Sequence, residues 1–172
     1  MNIYSDLAQQ SIAYYFEHKK TMPVPKDLPV ALIKNKAATF VSLHSKNGTL
    51  RGCIGTLLPT KKNVAQEIIN NALSAAFHDN RFEPLDSREL DDLVISVDVL
   101  SKPEPVNSLN NLDAKKYGVI VQTKDGRSGV LLPNLEGIDT VETQVMIAAQ
   151  KGGIDPRSDG ISLFRFTVER HK

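Results

Sequence analysis

The chain has 172 residues, of which 41% are hydrophobic and 24% charged, and its 21 basic and 20 acidic side chains leave a formal net charge of +1. This length and composition fit one globular domain, or one domain with a small subdomain, with enough apolar surface for a core. The balanced charge argues against nucleic-acid binding and against docking on an anionic membrane, because both need a basic face.

Three further features indicate the compartment. Residues 1–10 lack the basic and apolar regions of a signal peptide, and no apolar run is long enough to cross a bilayer. The single cysteine cannot form an internal disulfide. We therefore expect a cytoplasmic protein in a reducing environment.

The first 37 residues predict a helix followed by an extended connector. Ser5 is a candidate N-cap for a helix over 5–20, in which apolar residues recur at helical spacing. Three prolines between 23 and 29 favour an extended segment, and the apolar run 30–33 predicts a short strand. We expect any small subdomain to lie within about 18–37.

The next segment predicts a β-hairpin and a helix. Strand-like runs at 38–45 and 49–57 flank an Asn-Gly dipeptide, the sequence that most strongly favours a tight turn between two strands. Asn63 and Gln66 then form a capping-box pattern, which begins a helix that reaches about residue 78.

The remaining segments predict more strands and one more helix. The β-branched run 93–100 predicts a strand, and runs 118–123 and 128–132 flank an Asp-Gly dipeptide in a second hairpin. Asp139 is a candidate cap for a helix that ends near residue 151, and 162–168 predicts a final strand.

This order of elements predicts an α+β fold. Its strands come as adjacent hairpins separated by helices, which favours a mainly antiparallel sheet packed with about three helices over a doubly wound parallel sheet. We expect residues 1–172 to form a single domain, in which a small subdomain would complete a cleft.

The register of the first hairpin predicts a polar cluster. A two-residue turn would pair Ser42 with Cys53 and His44 with Arg51, and alternation would place these four side chains on one face. The opposite, core face would carry Val41, Leu43, Leu50 and Ile54. A three-residue loop with a bulge would break this alternation.

Such a cluster would suit thiol chemistry. A guanidinium such as that of Arg51 favours thiolate over thiol, and His44 would serve as a base or as a second cation. Gly52 and Gly55 would let a ligand approach Cys53 closely. The alternative is that Cys53 is a small buried hydrophobic residue and that the charged side chains line a solvated face.

The end of the predicted helix offers a second group of candidates. If that helix packs across the polar face, His78 and Asp79 would join Cys53 as catalytic residues. We expect six ligand-binding residues near Cys53. They are Ser42, Gly52 and Gly55 of the hairpin, and Asn71, Ser74 and Arg81 in or just after the helix. The alternative is structural, with His78 at the helix dipole and Asp79 paired with Arg81. No Cys-x-x-Cys or His-x-x-x-His spacing occurs, so we predict no metal site. The alternative is that His44, Cys53 and His78 supply three ligands through tertiary proximity.

One hexapeptide is distinctive, and other blocks accompany it along nearly the whole chain. It is Leu50-Arg51-Gly52-Cys53-Ile54-Gly55, and the other blocks lie at 39–43, 71–82, 95–104, 117–121, 129–133 and 151–154. Together they resemble the AMMECR-type domain family, which in bacteria and archaea is protein A of the AmmeMemoRadiSam system. The chain departs from the family pattern at Asn134-Leu135, where Gln-Val is usual. It also lacks the family's cysteine before Lys151 and its tryptophan after it, so Cys53 would act alone.

The resemblance implies a two-part α/β fold with a cleft near the hexapeptide. It also implies association with Memo-like and radical-SAM proteins, but it supplies no established reaction and no cofactor. Two main hypotheses follow. In the first, the chain is an enzyme or enzyme component that uses Cys53 beside Arg51. In the second, it is a non-catalytic interaction module whose hexapeptide hairpin is structural, and nucleic-acid binding is a weaker third.

Overall fold

The computed structural model describes residues 2–172, which form two compact units. One unit comprises the chain up to Leu100 together with Glu169–Lys172, and the other is Ser101–Val168. The sequence-based expectation of one domain with a small subdomain near 18–37 stays a prediction.

Residues 2–172 contain four helices and eight strands. In order they are α1 (Ile3–His18), α2 (Val30–Lys34), β1 (Thr39–Ser45), β2 (Leu50–Gly55), α3 (Val64–Phe77), β3 (Leu93–Leu100), β4 (Glu104–Val106), β5 (Gly118–Thr123), β6 (Ser128–Leu131), α4 (Val141–Lys151), β7 (Ile161–Phe166) and β8 (Val168–His171). Short 3₁₀ helices lie at Ser87–Asp92 and Leu109–Asn111. Among the helices of residues 2–172, none combines the length and the apolar composition that a membrane span requires.

The first unit is built on a sheet with strand order β2-β1-β3-β8. The central strand β1 is antiparallel to both β2 and β3, and it pairs Val41 with Val97 and Leu43 with Ile95. These four side chains are buried in one apolar cluster with Leu7 and Ile12 of α1 and Ile68 and Ala72 of α3. Helices α1 and α3 therefore cover one face of this sheet, and the residues that alternate with the buried ones lie on the other face.

The second unit has a separate sheet with strand order β4-β7-β5-β6. Val119 and Val121 of β5 are fully buried, as are Ala148 and Ala149 of α4, and all four belong to one apolar cluster. Ile120, which alternates with these two valines on β5, is also buried, so both faces of this strand are covered. The mixed α+β fold with antiparallel sheets is confirmed.

Several predicted boundaries are wrong in detail. The run 30–33 is not a strand, because it lies within helix α2, which begins after Pro29. Asn2 rather than Ser5 caps α1, since its side chain accepts the Tyr4 amide and the Ser5 hydroxyl donates to the Asn2 carbonyl. Thr140 rather than Asp139 caps α4.

Candidate functional site

The turn between β1 and β2 is longer than predicted. The Gly48 amide donates to the Ser45 carbonyl at 2.8 Å, and the Ser45 amide donates to the Thr49 carbonyl at 2.9 Å. Residues 46–48 thus form a three-residue loop that ends on Gly48, whose φ of +89° favours glycine. This is the loop type that, taken alone, would shift the predicted register by one residue.

A bulge at Arg51 shifts the register back. His44 pairs with Leu50 and Leu43 pairs with Gly52, so β2 has one more residue than β1 at this point. The predicted pairing of His44 with Arg51 is therefore wrong, and Leu50 lies opposite His44 instead of Ser45. Beyond the bulge, the predicted pairs are confirmed, including Ser42 with Cys53.

The Cys53 thiol lies on the sheet face that α1 and α3 leave uncovered. It is partly exposed, and the Ser42 hydroxyl donates a hydrogen bond to its Sγ at 3.2 Å. Ser42 also pairs with the buried Ser96 on β3, so three short polar side chains form a row across β2, β1 and β3. The thiol is thus accessible at the start of this polar row.

The backbone of Cys53 is held on both sides by Asp79 and Arg81. Its amide donates to Asp79 Oδ2 at 2.9 Å, and its carbonyl accepts from Arg81 Nη2 at 3.1 Å. Arg81 also binds the Asp79 carboxylate through Nε at 2.9 Å and Nη2 at 2.7 Å. Because β2 is an edge strand, this pair satisfies polar groups that a neighbouring strand would otherwise bind.

The carboxylate of Asp79 is ionised in this arrangement. Its side chain is only 3% exposed, and burial alone would favour the neutral acid. The hydrogen bonds from Arg81, followed by those from the backbone of Cys53 and Arg81, nevertheless hold the pKa of Asp79 well below its ordinary value. Asp79 is consequently a fixed anion that positions Cys53, and it is poorly suited to act as a proton acceptor.

The guanidinium of Arg51 binds Glu89 and the backbone of Glu83, and it does not bind the Cys53 thiol. Its Nε and Nη2 donate to the Glu89 carboxylate at 2.7 and 3.0 Å, and its Nη1 donates to the Glu83 carbonyl at 3.0 Å. The hydrogen bonds to Glu89 raise the pKa of Arg51 and lower that of Glu89. Arg51 therefore ties the bulge of β2 to the 3₁₀ helix Ser87–Asp92.

A second buried ion pair lies on the same sheet face as the thiol. Asp98 pairs with Phe40 on β1, one step along the face from the Ser42 and Ser96 row. Its carboxylate, 3% exposed, accepts from Nε and Nη2 of Arg170 on β8, both at 2.7 Å. Asp98 and Arg170 are not among the residues predicted for the site. The isolated charge in the apolar run of β3 was a signal for Asp98, but no local pattern marks Arg170.

The two glycines beside Cys53 are explained by packing. A Cβ on Gly52 would lie 2.3 Å from the Ala75 carbonyl oxygen of α3, so the helix approaches the strand more closely than any side chain permits. A Cβ on Gly55 would lie 2.2 Å from the Phe40 ring, which covers that glycine. Neither position leaves the open space that was predicted for a ligand.

The remaining predicted site residues, His44, Asn71, Ser74 and His78, are not hydrogen-bonded to Cys53. His44 is half-buried on the face of Ser42, opposite Val94. Asn71 is buried and donates to the backbone and hydroxyl of Thr39, while the Ser74 carbonyl accepts the amide of His78. His78 is exposed at the end of α3. Of the predicted set, the structure thus brings together Ser42, Cys53, Asp79 and Arg81 by direct hydrogen bonds.

Histidine, cysteine and carboxylate side chains of residues 2–172 form no group of three or more that is arranged to hold a metal ion. The alternative in which His44, Cys53 and His78 meet as ligands through the tertiary fold is therefore not realised in this part of the chain.

Comparisons of the sequence and of the structure both find related proteins. A family model described as AMMECR1 matches residues 5–171. A protein of Thermotoga maritima is 50% identical over 98% of this chain and 97% of its own length. A longer protein of Clostridium acetobutylicum is 44% identical over 98% of this chain, which spans 36% of that protein. The crystal structure of an uncharacterised protein from Pyrococcus horikoshii superimposes with a TM-score of 0.88 at 30% identity, covering 98% of this chain and 89% of that one.

Proposed function

This chain belongs to the AMMECR1 family, and we propose that it is a cytoplasmic enzyme or enzyme component that acts through the Cys53 thiol. We further propose that it works with Memo-like and radical-SAM proteins, as the resemblance to the AmmeMemoRadiSam system implies. The compartment and the partners rest on the sequence alone, whereas the thiol site is supported by the geometry of the first unit.

The observation that carries this proposal is the contrast between Cys53 and its neighbours in the hexapeptide. Gly52 packs on α3, Arg51 binds Glu89 and Gly55 lies under the Phe40 ring, so each has a structural role. The Cys53 side chain has no comparable role, because it is partly exposed and the hydrogen bond found for its Sγ within residues 2–172 comes from the Ser42 hydroxyl. A thiol kept at the surface of an otherwise structural strand is expected to be there for its reactivity.

The surroundings of Cys53 suit a nucleophile. Asp79 and Arg81 fix the backbone on both sides of the residue, which keeps the sulfur in one place, and Ser42 donates a hydrogen bond that a thiolate accepts. Positive groups near a cysteine favour its thiolate form. In this proposal Arg81 takes the electrostatic role that the sequence assigned to Arg51, and Asp79 is a positioning residue.

We expect Cys53 to react with iodoacetamide at pH 6 at least about fivefold faster than the same cysteine in a peptide of residues 50–55, because the folded strand orients the partly exposed sulfur and Ser42 donates a hydrogen bond to it. Intact-protein mass spectrometry measures this rate directly, since the chain has a single cysteine. Replacement of Ser42 by alanine should slow the reaction, while Ser108→Ala in the second unit should not. A folded protein that reacts no faster than the peptide would contradict the proposal.

The second candidate function is a non-catalytic interaction module. It is favoured by the same packing roles of Arg51, Gly52 and Gly55, which make the hexapeptide hairpin a rigid structural element. The two functions differ in what Cys53→Ser should do. An enzyme would lose its role in the cell while retaining its fold and its binding to Memo-like and radical-SAM proteins. A pure interaction module would keep its cellular role.

A further inference from the structure

Two arginines on the first unit are held in the same unusual way. Arg81 and Arg170 each place Nε and Nη2 on a carboxylate whose side chain is only 3% exposed, that of Asp79 and Asp98 respectively. Yet the arginine side chains themselves remain 53% and 47% exposed. Each guanidinium is thus fixed from beneath by a buried anion and presents its outer part to solvent.

The outer part of each guanidinium retains hydrogen-bonding capacity. A guanidinium is planar and carries five N–H donors, and the carboxylates occupy only the edge formed by Nε and Nη2. The hydrogen bonds found within residues 2–172 use Nε and Nη2 of Arg81 and of Arg170, and none uses Nη1 of either residue. Two oriented donor groups are therefore left for a ligand.

Arg81 adjoins Cys53, and Arg170 is anchored on the same sheet face, to a strand two positions away from β2. Arg81 touches Cys53 directly, through the hydrogen bond from Nη2 to its carbonyl oxygen at 3.1 Å. Arg170 is anchored to Asp98, which lies on the same face as the thiol and pairs with Phe40 in the row next to Ser42. The pKa of each arginine is raised, mainly by its hydrogen bonds to aspartate.

We propose that the Cys53 site takes an anionic small-molecule substrate, whose carboxylate or phosphate oxygens accept hydrogen bonds from Nη1 of Arg81 and Arg170. This inference rests on the proposed function of Cys53 and names the class of its substrate. The carboxylates of Asp79 and Asp98 are buried, so an anion that approaches from solvent meets the guanidinium groups and is shielded from the aspartates. A guanidinium also keeps its charge at any physiological pH, so each remaining Nη1 is a charged donor for such oxygens.

Two alkylating reagents of nearly the same shape test the proposal. In both, the Cys53 sulfur attacks the methylene carbon, an S–C bond forms, and the C–I bond breaks as iodide leaves with the bonding electrons. Iodoacetate carries a carboxylate and iodoacetamide a neutral amide. We expect the ratio of their rates, iodoacetate over iodoacetamide, to be about fivefold or more higher for the folded protein than for a peptide of residues 50–55.

Variants identify the groups responsible. Arg170→Gln should lower the rate ratio toward that of the peptide, and Arg170→Lys should restore it only in part, because lysine keeps the charge but loses the planar fork. Arg88→Gln is the matched control, since Arg88 is 88% exposed and paired with Asp86, and it should leave the ratio unchanged. Arg81→Lys provides a second variant, with circular dichroism used to check its fold.

Competing anions distinguish the two sources of negative charge. Inorganic phosphate and acetate, each compared with chloride at equal ionic strength, should slow alkylation by iodoacetamide if they occupy the arginines. Stronger protection by phosphate would indicate a phosphate-bearing substrate, and stronger protection by acetate a carboxylate. A flat rate ratio together with no protection overturns the inference, and if iodoacetamide alone still reacts quickly, the proposed function of Cys53 stands without it.

Discussion

Gly52→Ala is expected to lower the free energy of unfolding by about 3 kcal/mol, the upper range for forcing extra volume into a packed core. The added methyl group would lie 2.3 Å from the Ala75 carbonyl oxygen and 3.2 Å from its carbon. These atoms belong to the backbone of α3, so no side-chain rotation can relieve the overlap, and the helix must move away from β2. Urea denaturation followed by circular dichroism measures the change.

Gly160→Ala is the matched control for this substitution. It adds the same methyl group where no atom lies within 4 Å, so it should change the stability little. The comparison also separates the steric effect from the reduced flexibility of the unfolded chain, which both substitutions share. Equal stability of the two variants would show that α3 does not approach β2 as closely as described.

Asp79→Ala is expected to cost about 2 kcal/mol, because it leaves the Cys53 amide and the Arg81 guanidinium without their acceptor. The figure lies below that for a fully buried pair because Arg81 is half exposed and solvent compensates part of its loss. Asp92→Ala removes an exposed ion pair with Lys46 and should have little effect. If the two variants were equally stable, Asp79 would not anchor the edge strand.

The same substitution predicts a change in the response to acid. The folded-state pKa of Asp79 lies below its ordinary value of 3.8. The stabilisation it provides is therefore fully present above that value and is lost as the pH falls through it toward the folded-state pKa. Wild type should thus lose stability more steeply than Asp79→Ala below about pH 5. Urea midpoints measured between neutral and acid pH test this, and parallel curves would contradict it.

The position of Cys53 was predictable from the sequence, although the turn was not. Alternation along the strands and the Asn-Gly dipeptide were enough to place Cys53 opposite Ser42. The loop of residues 46–48 and the bulge at Arg51 each shift the register by one residue, in opposite directions. The alternation of apolar residues does not reveal a bulge. The pattern therefore predicted the correct pair of residues, Ser42 and Cys53, although the predicted turn was wrong.

The partners of Arg51 and Arg170 could not be predicted, because they come from distant segments. Arg51 lies two residues before Cys53 in the sequence, but the Glu89 carboxylate and the Glu83 carbonyl hold its guanidinium at the segment that precedes β3. Arg170 is brought to Asp98 only by the return of the last strand to the first sheet. Local patterns specify faces and caps, whereas these ion pairs depend on which strands become neighbours.

The prediction of a strand at 30–33 was wrong for a simpler reason. Four consecutive apolar residues are too few to distinguish a period of two from a period of 3.6. Pro29 has a φ of −50° and immediately precedes the helix, so it can introduce a helical turn as readily as it can interrupt one. The predicted helix after Asn63, which has a side-chain cap and a long apolar stripe, was in contrast confirmed.

The loop of residues 46–48 and the bulge at Arg51 confine the altered pairing to the tip of the first hairpin. Two kinds of tip fit between Leu43 and Gly52 with the same number of residues. One has a three-residue loop and a bulge, and the other has a two-residue turn without a bulge. Both leave Leu43 opposite Gly52. Residues 46–49 can therefore be redesigned, or can carry a grafted label or binding loop, while Arg51 keeps its contact with Glu89 and the thiol keeps its side of the sheet.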